Sequence, residues 1–312
     1  MKKKTSITDL LSIFILFSIF IVIYIYKNDI TKFIMINVVY KKEMVILDAN
    51  QYEKTSSYKY IQRTENYEPE NKQELLNILF TILNKGWDEF SFYCPMNYDH
   101  CMDDLDQIID DNNILSDINN FVHPFNSFER IYISKNSFGR IQVEVEKTYS
   151  DQMIEEINQK VDEILKEIIK DDMNDKVKIK TIHDYIINHT SYDEEHAHII
   201  ETHSNKQPTY LSNTAYGTLI DGKAICGGYS DAMAVFLNRL GIDNYKISSS
   251  NHVWNYVKLD GKWYHLDLTW DDPVVPSGRN VLLHNFFLIN TEELREKDTS
   301  QHTFNLMVYQ EQ

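Results

Sequence analysis

The stretch NHVWNYVKLDGKWYHLDLTW, Asn251 to Trp270, constrains the fold more than any other part of the chain. Asp260 and Gly261 stand between two alternating runs and read as the central residues of a two-residue hairpin turn. With that turn Leu259 faces Lys262, which sets Trp254 opposite Asp267 and His252 opposite Thr269. Strand side chains alternate, so His252, Trp254, Tyr256, Trp263, His265 and Asp267 project from one face. Val253, Val257, Leu259, Tyr264, Leu266 and Leu268 form the other face, an ordinary core-facing set. His252 and Asp267 become diagonal neighbours, roughly 7–8 Å apart at the backbone and within reach of two polar side chains. A one-residue slip would separate them.

Upstream, DGKAICGGYSDAMAVFLNRLG spans Asp221 to Gly241 and places Cys226, one of three cysteines, at the entry of a helix that runs to Leu240 and is capped by Gly241. The positive end of a helix dipole favours thiolate over thiol. An imidazole can take the thiol proton and later return it to a leaving group. A carboxylate on the second ring nitrogen fixes tautomer and orientation. Gly227 and Gly228 would leave the sulfur uncovered for a substrate carbonyl, and the Cys226 backbone N–H is a natural oxyanion donor. A cysteine before a helix, a histidine in a strand or an aspartate at a strand end is unremarkable by itself. Together they point to thiol catalysis. His265 is a rival base, since it shares the face with Asp267 and lies two residues away, and spacing does not exclude it.

The N-terminus reads MKKKTSITDLLSIFILFSIFIVIYIYKND, with Lys2, Lys3 and Lys4 before an apolar run from Leu10 to Tyr26. As a helix that run covers about 25 Å, slightly short of the ~30 Å hydrocarbon core, and its flanks make up the difference. No face of it is polar, and no small-residue cleavage pattern follows it. A signal anchor is the expectation, with the N-terminus cytoplasmic and the remainder extracytoplasmic. Cys94 and Cys101 in CPMNYDHC could then close a small disulfide, which leaves Cys226 as the odd thiol. The net charge of -16 argues against a nucleic-acid partner. DDLDQIIDDNN lacks the glycine and distal glutamate of a calcium loop and reads as a solvated helix face. YDEEHAHIIETH, with Glu194, Glu195, His196, His198 and His203, has metal-type side chains, yet it reads as a polar loop without a fixed helical face. No metal and no cofactor are expected.

Helical periodicity covers Asn71 to Lys85, Gln152 to Lys170 and Lys176 to Asn188; WDEFSFY, Phe128–Ser134 and Gly139–Tyr149 read as strands. The expected organisation is a cytoplasmic tip and anchor at 1–27, a stalk at 28–70, an N-terminal α+β region at 71–170 and a catalytic domain at 171–312.

Two long motifs, YGTLIDGKAICGGYS from Tyr216 and HVWNYVKLDGKWYHLDLTWDDP from His252, resemble those of the transglutaminase-like superfamily, in particular its bacterial group. The likeness extends through IHDYIINHTSYD and more loosely to FVHPF at Phe121 and FFLINTEEL at Phe286. It implies an α+β, papain-like fold with Cys226 as nucleophile, His252 rather than His265 as base, and Asp267 as orienter. Tyr192 and Tyr216 become secondary candidates near the oxyanion or substrate, alongside Gly227 and Trp254. Active members of that superfamily attack an amide carbonyl with thiolate and form a thioester. They include protein cross-linkers, peptidases and amidases, and other members keep the fold without demonstrated activity. For an anchored, outward-facing chain the expected partners are peptide or protein substrates of the cell envelope, with peptidase or amidase activity favoured over cross-linking or a non-catalytic scaffold.

Overall fold

The computed structural model describes residues 7–35, 38, 45–275, 281–298 and 300–310. Lys2, Lys3 and Lys4, on which the expected orientation rests, lie outside them. The apolar run forms α1 (Ile7–Ile25), and α2 (Lys27–Ile34) follows at a bend of 69°. Phe14, Phe17 and Phe20 on α1 are exposed. Among the described residues no single helix is long and apolar enough to cross a membrane; Leu11–Ile25 and α2 together reach that length and composition.

The next elements are α3 (Lys72–Asn84), β1 (Glu89–Tyr93), α4 (Cys101–Asp110), α5 (Asn112–Asn119), β2 (Phe128–Lys135) and β3 (Arg140–Lys147). The strands make an antiparallel sheet in the order β1-β3-β2. The Asn71 side chain caps α3 through the Glu74 N–H, and Gly86 ends it at a φ of 71°. A side chain at Gly86 would strike Asn50, because its Cβ would lie 2.1 Å from the Asn50 amide nitrogen. A disulfide joins Cys94, just after β1, to Cys101 at the start of α4.

Two amphipathic helices come next, α6 (Asp151–Ile168) and α7 (Asp175–His189), capped by the side chains of Ser150 and Asn174. Then follow β4 (Ser191–Tyr192), α8 (Glu194–Glu201), β5 (Lys223–Ala224), α9 (Cys226–Arg239), β6 (Asn244–Ser248), β7 (Val253–Leu259), β8 (Lys262–Leu266), α10 (Leu268–Asp271) and α11 (Thr291–Lys297). Strands β4 and β5 pair in parallel, and β6-β7-β8 form an antiparallel sheet. The segment YDEEHAHIIETH, read from sequence as a loop, is helical from Glu194. Asp193 accepts the His196 N–H as its cap and Ile199 anchors it.

The β7–β8 hairpin has the register that its turn predicts, with Leu259 opposite Lys262 and Tyr256 opposite His265. Asp260 and Gly261 take φ values of 51° and 77°, as a two-residue turn of this hand requires. Both faces of the sheet are buried. Val257 and Leu266 pack with Ile157, Ile182 and Phe236, whereas Trp254, Tyr256 and Trp263 pack with Leu79, Phe80 and Phe121. The face that carries the polar candidates is therefore a second core surface, closed by the N-terminal half of the chain.

That arrangement revises two expected boundaries. Residues 28–70 are not a stalk throughout, because Tyr58, Ile61 and Tyr67 are core residues. The Tyr58 ring meets Phe121 at 4.9 Å and Tyr245 at 5.5 Å. Such isolated aromatic anchors leave no periodic trace in a sequence. Nor does packing break at Asp171, since Ile157, Val161 and Ile164 of α6 share one core with Ile179 and Ile186 of α7. A direct consequence is that Tyr58→Ala should lower stability by about 3–5 kcal/mol, the range for removing a buried aromatic ring. Urea denaturation of the chain reads this, and a loss below about 1 kcal/mol would return this segment to the surface.

Candidate active site

Cys226 is the first residue of α9, partly exposed and in no disulfide. Its backbone N–H therefore has no acceptor within the helix. The entry is held by the Ile225 N–H, which donates to the Ser212 carbonyl at 2.8 Å, and by the parallel pairing of Tyr192 with Ala224. The space beside Gly227 and Gly228 is filled by the Asn213 side chain and the backbone of the 212–214 stretch. A Cβ on Gly227 would lie 2.0 Å from Asn213 Oδ1, and one on Gly228 would lie 2.3 Å from the Ser212 carbonyl oxygen. The glycines allow the 212–218 segment to lie against the first turn of α9, which fixes the thiol from behind.

His252 immediately precedes β7, and Asp267 immediately follows β8 as the cap of α10. Both are buried, and His252 Nε2 lies 2.6 Å from Asp267 Oδ2. The other oxygen, Oδ1, accepts the backbone N–H groups of Thr269 and Trp270 at 2.9 and 3.3 Å. With Nε2 engaged, Nδ1 is the nitrogen left for the thiol. Burial opposes a charge on His252, but the Asp267 carboxylate overrides it, and with a further contribution from Cys226 the imidazole pKa is pushed up to about 10. Asp267 follows the complementary course: burial would raise it, and His252 and His302 hold it well below the usual carboxylate range.

His265 has a different environment. Its Nδ1 accepts the Trp254 indole N–H at 3.0 Å, its Nε2 faces Thr291 Oγ1 at 3.2 Å, and burial pushes its pKa down to about 3. A neutral ring with both nitrogens engaged is a poor general base, so the geometry separates the two histidines that spacing alone left equal. Trp254 is fully buried and stacks on His252 with ring centroids 5.6 Å apart at 18°. It is a floor under the imidazole rather than a group facing substrate.

The two tyrosines also part company. Burial, then the proximity of Cys226, raises the Tyr192 phenol to about 12, which sets its ring in the electrostatic neighbourhood of the thiol. Tyr216 instead donates its hydroxyl to Glu156 Oε2 at 2.7 Å and ties the 212–218 segment to α6. A cavity of about 360 Å³ opens beside Tyr192, with His189, Glu194, Asp272 and Val274 on its walls. Within this wall burial raises Asp272 to about 6 against the bond donated by Tyr229.

Two residues of the site escape a reading of the sequence. His302 Nε2 lies 2.8 Å from Asp267 Oδ2, and His302 Nδ1 lies 2.8 Å from Asp298 Oδ2. The signal is short: an aspartate followed two residues later by serine and four later by histidine, a pattern that wraps the chain around a carboxylate. Asp298 indeed accepts the backbone N–H groups of Ser300, Gln301 and His302. The segment before it, FFLIN, pairs with the hairpin edge through His265 and Ile289.

Among the described residues two groups bring metal-type ligand atoms within 4.8 Å of one another: His252, Asp267 and His302, and His183, Asp184 and His284. Members of each group are hydrogen-bonded to one another, and Asp184 also pairs with Lys180. His183 bridges to the buried Asp271 at 3.2 Å and so links α7 to α10. His196, His198 and His203 belong to neither group; His196 Nδ1 contacts Ser212 Oγ at 2.7 Å instead.

Residues 162–268 match the family model described as Transglutaminase-like superfamily, so the chain carries a transglutaminase-like domain over that range. Two solved structures are similar. One, described as a TGase, is 18% identical with a TM-score of 0.35 and aligns over 46% of this chain and 44% of its own. The other, a "putative cysteine protease" from Cytophaga hutchinsonii, is 13% identical with a TM-score of 0.28, over 49% of this chain and 65% of its own. Both alignments span less than two thirds of those chains. No curated protein matches.

Two outcomes are expected. The His252 ring, followed by NMR, should titrate near pH 10 in the native chain and at a clearly lower pH in Asp267→Asn, where the main charge that opposes burial is gone. Because the folded value lies above the ordinary 6.5, this pair contributes stability that is complete below pH 6.5 and lost as pH rises through about 10. Gly228→Ala should cost about 1–3 kcal/mol, as overpacking against backbone does. Thermal or urea unfolding of that variant, with the thiol alkylation rate alongside, measures the cost; wild-type values in both would mean that the 212–218 segment yields freely.

Proposed function

We propose that the transglutaminase-like domain is a thiol enzyme that attacks amide bonds of peptide or protein substrates through Cys226, His252 and Asp267, and that hydrolysis is its favoured outcome. The observation that carries this reading is the buried 2.6 Å pair of His252 and Asp267, with Cys226 at a helix N-terminus among the groups that stabilise the imidazolium. A pair that favours imidazolium favours thiolate on its partner.

In this mechanism the Cys226 thiolate forms the S–C bond with the amide carbonyl, and the carbonyl electron pair moves to oxygen. The Cys226 backbone N–H faces the developing oxyanion. Collapse of the intermediate breaks the C–N bond as His252 hands its proton to the departing amine, and a thioester remains. His252, now neutral, takes a proton from water, and attack of that oxygen on the thioester releases the acid and restores the ion pair. Asp267 keeps Nε2 protonated throughout. A primary amine in place of water would give transfer.

The same reading places the enzyme at a membrane, with α1 as its anchor and the catalytic domain outside the cytoplasm. Support comes from the exposed apolar side chains of α1, the combined length of α1 and α2, and a disulfide between Cys94 and Cys101, which suits an oxidising compartment.

Amide cleavage by the full chain tests the reading. Cys226→Ala should abolish it, and His252→Ala or Asp267→Asn should reduce kcat by about 10²–10⁴-fold. A fluorescent primary amine added to the same reaction separates the outcomes: incorporation in preference to cleavage would overturn hydrolysis while keeping the thioester. A Cys226 thiol that alkylates like free cysteine would remove the enzyme altogether.

A further inference from the structure

Asp267 Oδ2 serves two imidazoles, His252 Nε2 at 2.6 Å and His302 Nε2 at 2.8 Å. The second ring has a carboxylate at each end, because Asp298 Oδ2 lies 2.8 Å from its Nδ1. An ionised carboxylate only accepts, so between two of them both nitrogens of His302 donate and the ring is an imidazolium. Its side chain is 0% exposed. It stacks on Phe286 at 5.1 Å and 11° and meets Trp254, Trp270 and His252 edge-on at 4.8, 5.1 and 5.2 Å. A buried ion held by two partners is weak as a source of stability, and an apolar side chain of similar size fills such a space at least as well. This charge therefore calls for another explanation.

We infer that His302 is a positioning residue of the triad, held by Asp298, that aims Asp267 Oδ2 at His252 and offsets part of the Asp267 charge. It rests on the thiol reading above. An unshared Asp267 would stabilise the His252 imidazolium so far that Nδ1 gives its proton to a leaving amine reluctantly, whereas a carboxylate shared with a second cation stabilises that imidazolium less. The other charged groups nearby do not substitute for His302. Lys297 lies 5.9 Å over the Phe286 ring, Arg295 acts on His265, and His265 is held neutral by burial. Asp298 pairs with the ring that it holds and accepts the Ser300 hydroxyl.

The test is the NMR titration of His252 in the full chain, with amide-cleavage kinetics. His302→Gln keeps an N–H for Asp267 Oδ2 and removes the charge. Coulomb interaction between rings 5.2 Å apart is large enough to move the His252 midpoint upward by about one pH unit or more. The kcat should fall with KM little changed. Asp298→Asn, which removes the carboxylate that holds His302 without touching Asp267, should move the midpoint by less than His302→Gln does. A folded His302→Gln with the wild-type midpoint and kcat overturns the inference. So does failure of both variants to fold, which would make the pair a requirement of the fold alone. A native His252 that titrates near 6.5 and ignores Asp267→Asn is a different result, because it removes the triad itself.

Discussion

The site depends on one buried carboxylate. Asp267 has four hydrogen bonds, two from imidazoles through Oδ2 and two from backbone N–H groups of α10 through Oδ1. Four donors around a charge with almost no access to water make ionisation tolerable and orientation rigid. The donors come from three parts of the chain: the entry to β7, the first turn of α10, and the segment beyond α11. The catalytic geometry is thus the meeting point of elements that are remote in sequence. Nothing nearer than the hairpin register guarantees it.

That register is in turn protected by a sheet with no free face. One side of β6-β7-β8 packs on α9, the other on the aromatic cluster around Tyr58, Phe121 and Phe304. A slip by one residue would drive Trp254 and Tyr256 into the α9 core and pull Val257 out of it, an exchange of volumes that neither side can absorb. The same arrangement explains why His265 and His252, two positions on one hairpin, differ so widely. His265 lies deep between the two layers with a tryptophan N–H on one nitrogen, and His252 lies at the start of the central strand with a carboxylate on one nitrogen and Cys226 contributing to its charge.

Much of this was legible in the residues. The Asp260-Gly261 turn and strict alternation sufficed for the pairing of His252 with Asp267, and the GGYSDAMAVF run sufficed for a cysteine at a helix entry. Features without periodicity were not legible. Tyr58 and Tyr67 sit in a segment with no helical or strand pattern, so their role as anchors of the core left no trace. Gly227 and Gly228 invited a reading about substrate, because a sequence cannot say whether space beside a glycine is empty or filled; Asn213 and Ser212 fill it. His302 lies 35 residues from the carboxylate that it bonds, beyond the reach of any local pattern.

The matched domain, residues 162–268, contains Cys226, His252 and Asp267 but not the matter that encloses them. Cut to those limits, the hairpin would lose its cover of Leu79, Phe80 and Phe121 on one side, and α7 and α9 would lose Ile157 and Val161 on the other. The matched motif and the folding unit therefore have different borders in this chain. Grafting the motif onto another scaffold would transfer the reacting atoms while leaving behind the walls that hold them in register.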